Sequence, residues 1–117
     1  MSIFTVTLAI LVSLEFFYIM YLETFATASK ITARVFNMTQ EELEREAVNN
    51  LFKNQGVYNG LIAVLVLLAV FTQDSFWMAI FMIYIILVAA YGAMTSDLKI
   101  LFKQGGLAIL TLISLFF

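Results

Sequence analysis

Two carboxyls stand out against their surroundings. Glu15 interrupts a long apolar run, and Glu23 closes it eight residues later. Asn54, Gln55 and Asn59 open a second apolar run, and Gln104 sits inside the last one. Such side chains are costly inside a bilayer, so each needs a partner or a purpose. A desolvated carboxyl is the group that a proton-coupled carrier or a general acid would use. Amides and the tyrosines Tyr18, Tyr58 and Tyr91 would shape a site around it. Absences narrow the chemistry further. The chain has no Cys and no His, which excludes thiolate nucleophiles, imidazole acid–base catalysis and Cys- or His-ligated metals. Glu15, Glu23, Asn59 and Gln55 offer oxygen ligands for a hard cation. No spacing motif supports that, so neither metal nor cofactor is expected. Phosphate loops and nucleophile elbows are absent too.

The elements that must hold these groups follow from composition. Of 117 residues 63% are hydrophobic and 12% charged, with a mean hydropathy of +1.01. Ordinary soluble domains carry about 45–50% apolar and about 25% charged residues. A chain this small has too little interior to hide the excess, so an integral membrane protein is expected. A crossing takes about 20 mostly apolar residues. Four stretches qualify: 3–22, 54–72, 76–94 and 98–117. They predict an all-α, four-transmembrane-helix bundle in a single transmembrane domain, with a cytoplasmic loop at 23–53. Trp77 sits at a boundary that suits an interfacial indole. Ala26-Thr27-Ala28 has the small residues of a signal-peptide cleavage site. No Lys or Arg precedes the apolar run, however, and Glu15 interrupts it, so a retained helix is expected.

Basic residues orient the bundle. Lys30, Arg34, Arg45 and Lys53 flank the first loop, and Lys99 and Lys103 flank the last turn. The opposite side has only Asp74 and the two chain ends. The positive-inside rule then puts both basic loops in the cytoplasm and both termini outside. The net charge of -2 gives no case for nucleic acid. Within the long loop, Thr39 to Glu42 fits a capping box. Leu43, Ala47 and Leu51 continue at helical spacing, and Glu41 and Arg45 can pair at i, i+4. One amphipathic helix is expected, running on into the second span or joining it at a bend near Gly56. Before it, residues 30–36 either lie on the membrane surface or form a solvated connector.

Depth brings the polar groups together. At about 1.5 Å per residue, Glu15 falls about 4–5 Å and Asn59 about 6 Å to the cytoplasmic side of the midplane. Gln104 lies at a similar depth, with Tyr91, Gln55, Tyr58, Tyr18 and Glu23 nearer the surface. Lys103 is at a depth from which it could pair with Glu15, and Lys99 with Glu23. Gly56 and Gly60 form a small-xxx-small face; Gly92, Gly105 and Gly106 offer similar close approaches.

The segments Leu14-Glu15-Phe16-Phe17-Tyr18 through Glu23, Asn54-Gln55-Gly56-Val57-Tyr58-Asn59-Gly60, Tyr91-Gly92-Ala93 and Lys99 through Gly106 resemble the domain of unknown function 1304 family of small four-helix bacterial membrane proteins. The resemblance covers nearly the whole chain. It implies a bacterial cytoplasmic membrane and a recurrent pattern including Glu15, Glu23, Asn54, Gln55, Asn59 and Gln104. It transfers no activity. Phe16 and Leu107 depart from the family pattern, where many members have His and Pro. A looser likeness in architecture, not in motifs, is to the small multidrug resistance transporters.

The residues favour small-molecule binding or proton-coupled transport, with Glu15 as the protonatable group. One alternative is a structural or accessory subunit with a packing polar cluster. Another is an intramembrane enzyme on a lipid-like substrate, with Glu15 and Glu23 as acid and base. Eight residues of helix put those two about 12 Å apart, which disfavours the enzyme. Four short helices enclose little volume, so a transport path is expected to need a homodimer in the lipid bilayer. The glycine faces are candidate interfaces, unless they pack within one protomer.

Overall fold

The computed structural model describes residues 1–117. The chain is all-α, 83% helical and without strands. In order it has α1 (Ile3–Met20), one π-helical turn (Tyr21–Phe25), α2 (Lys30–Val35), α3 (Gln40–Glu44), α4 (Glu46–Phe71), α5 (Ser75–Thr95) and α6 (Lys99–Ser114). Three helices are long and apolar enough to cross a membrane: Ile3–Phe25, Glu46–Phe71 and Ser75–Thr95. The fourth stretch expected to cross, 98–117, holds only α6, whose 16 residues give about 24 Å of helix, short of the about 30 Å of a hydrocarbon core.

Contacts divide the chain into two compact units. The first comprises Met1–Ser13 and Val64–Phe117. Its interior is built from small or slender side chains at helical spacing: Thr5, Ala9 and Val12 on α1, Met78, Met82, Ile85 and Ala89 on α5, and Ala108 and Thr111 on α6. Several of the bulkiest residues point outward. Phe71 is 82% exposed, Leu87 64% and Phe102 68%. Water does not select such a surface, and lipid does not need to be excluded from it. α5 and α6 form an antiparallel pair in close register. A Cβ on Gly105 would lie 3.3 Å from Ala89 Cβ, and one on Gly92 would lie 3.4 Å from Ile100 Cγ2. At the far end, Thr5 Oγ1 and Ser114 Oγ share a 2.8 Å hydrogen bond. The amino terminus donates to Gln73 Oε1 at 3.2 Å. Both chain ends and the α4–α5 turn therefore lie at one end of this unit. Asp74 caps α5 by accepting from Trp77 N–H at 3.1 Å.

The second unit is Leu14–Ala63. The expected capping box forms: Glu42 N–H donates to Thr39 Oγ1, and Thr39 N–H donates to Glu42 Oε1, each at 3.0 Å. The helix it opens does not run on. The chain turns extended at Arg45 (ψ 133°), and α4 then runs through Gly56 as one uninterrupted helix. The break thus falls eleven residues before the position expected for it. It goes with the packing of Leu43. Leu43 is fully buried, and its carbonyl, freed by the break, accepts from Asn49 Nδ2 at 3.2 Å. Leaving the helix at Arg45 also ends the geometry of a Glu41–Arg45 i, i+4 pair. The charge of Arg45 acts on Glu42 instead.

The Thr39 backbone and side-chain bonds, then Arg45, hold the exposed Glu42 carboxyl below its ordinary value. A depressed folded-state value stabilises the cap above the unfolded pKa of about 4.3, and that contribution is lost as pH falls through the folded value. Amide exchange at Glu42, measured against pH, should show protection decaying only well into the acid range. In Thr39→Ala the protection should be weak at every pH.

Candidate functional site

The site is assembled where α1 ends. Its last turn is wide: Ala26 N–H reaches back five residues to Tyr21 O at 2.9 Å. Such turns recur at functional positions. Threonine hydroxyls bond the backbone carbonyls in and around the wide turn. Thr27 Oγ1 donates to Glu23 O at 2.7 Å. Thr32 Oγ1 lies 2.7 Å from Ala26 O and 3.2 Å from Leu22 O. Thr24 Oγ1 donates to Lys53 O on α4 at 3.0 Å. Thr32 is held by α2, which Ser29 caps by accepting Thr32 N–H.

α4 comes close because it presents glycine. A Cβ on Gly56 would collide with Thr24 Oγ1 and fall 3.0 Å from Thr24 N, and one on Gly60 would collide with Met20 Sδ. The Gly56–Gly60 face is therefore packed against Thr24 and Met20 within the protomer. At this separation the short Asn59 side chain spans the gap. Its Nδ2 donates to Glu23 Oε1 at 2.5 Å. Glu23 is 1% exposed, and this amide is its hydrogen-bond partner.

Glu15 lies about two helical turns further up α1. It is half-buried, and its Oε1 is sealed from solvent yet receives no hydrogen bond. Buried carboxyl oxygens without a donor are rare and call for an explanation. No three acidic side chains converge in a group that could hold a metal ion.

The other candidates are placed apart. Tyr18, Tyr58 and Tyr91 are 52%, 71% and 69% exposed, and Asn54 and Gln55 are exposed as well. Gln104 is half-buried and, with Tyr91, belongs to the first unit. Gly106 has open space where a Cβ would go. The residues that reasoning from sequence missed are Thr24, Thr27 and Thr32. The only trace of them is the hydroxyl-rich stretch after Glu23.

The family model described as protein of unknown function (DUF1304) matches residues 10–116. A Lactococcus lactis subsp. lactis (strain IL1403) protein described as uncharacterized protein YpaA is 60% identical, the match covering all of both chains. No solved structure matches the chain.

Proposed function

We propose a function for this chain, which belongs to the DUF1304 family of proteins of unknown function: it binds a small molecule, or carries one coupled to protons, in a bacterial cytoplasmic membrane, with Glu15 as the protonatable group. Four crossings are part of this reading. The α5–α6 register and the Thr5–Ser114 bond support them, because α6 then runs beside α5 from the Gly92–Ile100 approach to the end that holds Thr5. The basic residues around both loops, against Asp74 alone at the other end, support extracytoplasmic termini. A homodimer would use a face other than Gly56–Gly60.

The observation that carries the reading is Glu15 Oε1, buried and without a donor. A group that is only structural would be expected to have its partner, as Glu23 has Asn59. A solute or proton arriving at Glu15 would supply what the chain leaves out. A second reading, a structural subunit, is favoured by the Glu23–Asn59 bond, which ties α1 to α4.

Proteoliposomes holding a pH-sensitive dye separate the two. The expected result is faster decay of an imposed pH gradient than in empty liposomes, with Glu15→Gln removing the difference while the protein stays folded. Equal decay for wild type and Glu15→Gln would leave only the structural reading.

A further inference from the structure

We infer that α2 is a seat for anionic phospholipid headgroups at the cytoplasmic surface, an inference that rests on the membrane reading above. One side of α2 is fixed. Thr32 is fully buried, and its hydroxyl sits at the carbonyls of Leu22 and Ala26, where the first apolar helix ends. That anchor sets the depth of α2 at the end of the span. The opposite side is unpartnered and has a particular composition. Lys30, Ile31, Arg34 and Val35 are all exposed, at spacings that make one continuous strip on a helix. Ile31 and Val35 are 51% and 46% exposed, and Phe25, on the adjoining π-helical turn, is 72% exposed.

A connector facing water would not turn Phe25, Ile31 and Val35 outward together. A short helix at the interface would, with its apolar side chains in the acyl boundary and its cations among the headgroups. The charge pattern names the lipid. α2 has two cations and no acid, whereas α3 carries Glu41, Glu42 and Glu44. The opposed charges are thus segregated onto separate helices. Anionic headgroups attract the first and repel the second, so α2 is drawn to the surface and α3 is kept off it.

The chain has no native Cys, so a spin label on V35C is unique. The labelled protein is reconstituted into phosphatidylglycerol and, separately, phosphatidylcholine vesicles, and exposure to a water-soluble relaxation agent is read. In phosphatidylglycerol the label should be shielded several-fold more than in phosphatidylcholine. The double variant Lys30→Gln/Arg34→Gln should lose that difference. Glu41→Gln/Glu44→Gln, which removes equal charge from α3, should keep it. Equal exposure in both lipids, or a difference that survives the α2 double variant, would overturn the seat. So would loss of shielding on adding inorganic phosphate, which would indicate a site for soluble anions. Alkaline carbonate washing of both vesicles tests the underlying reading separately. Protein retained in both, with no lipid dependence at Val35, removes the seat alone; protein washed off removes the membrane reading and the seat with it.

Discussion

Asn59→Leu should destabilise the protein by about 3 kcal/mol, more than any other single truncation of a polar side chain in the second unit. The estimate is bracketed. Leaving a neutral buried group unpaired costs about 1–3 kcal/mol, and leaving a buried charge unpaired about 3–5 kcal/mol. Polar pairs between membrane helices average only about 0.6 kcal/mol in double-mutant cycles. The Glu23–Asn59 pair should exceed that average, because Glu23 is 1% exposed and Asn59 is the only side chain donating to its Oε1. Glu23→Leu should cost less, since the Asn59 amide it orphans is half-buried. The double variant should recover part of the Asn59→Leu loss, because both polar partners have gone. Reversible unfolding in mixed micelles gives the four corners of the cycle. Strictly additive losses would mean that the two side chains do not act on each other.

The second large effect is at Gly56. On propensity alone, alanine in a helix interior is better than glycine by about 0.8–1 kcal/mol. Here the Cβ would meet Thr24 Oγ1, with Thr24 N at 3.0 Å and Glu23 Cβ at 3.1 Å. The Thr24 hydroxyl is bonded to Lys53 O, and backbone cannot swing aside. Overpacking of this kind costs about 1–3 kcal/mol, and separating the helices also draws Asn59 from Glu23. Gly56→Ala should therefore be a net loss of about 1–2 kcal/mol. Gly60→Ala should be near neutral, because Met20 Sδ is near the end of a flexible chain. Gly106→Ala should gain up to about 1 kcal/mol, since nothing lies within 4 Å of its Cβ. The rank order in thermal unfolding tests the set. A Gly56→Ala protein as stable as Gly106→Ala would show that the close approach has no energetic weight.

Much of this architecture is legible in the residues. Apolar length marks four stretches, three of which form helices long enough to cross, and the Thr39–Glu42 spacing marks a cap that forms. The close approach at Gly56 and Gly60 is legible as a small-residue face, though not which helix fills it. Other features leave no such mark. The π-helical turn contains no Gly or Pro, and the break at Arg45 goes with the packing of Leu43. Both depend on tertiary packing, not on local preference. For the same reason depth along the chain could group Glu15, Glu23, Asn59, Tyr18 and Tyr58, but could not rotate them. Rotation joins Glu23 to Asn59 and turns both tyrosines outward.

The inside-out arrangement of side chains in the first unit bears on how this chain can drift. In a water-soluble core the bulky residues interlock, and exchanging one for another is penalised on every side. Here Leu87 and Phe102 face outward and need only remain oily, so their identities can wander. The fixed vocabulary is the small one. Ala9, Ala69, Ala89 and Ala108 are at most 3% exposed, and even one added methyl would have to force neighbouring helices apart. Among descendants of this sequence, the least eye-catching letters should change most slowly.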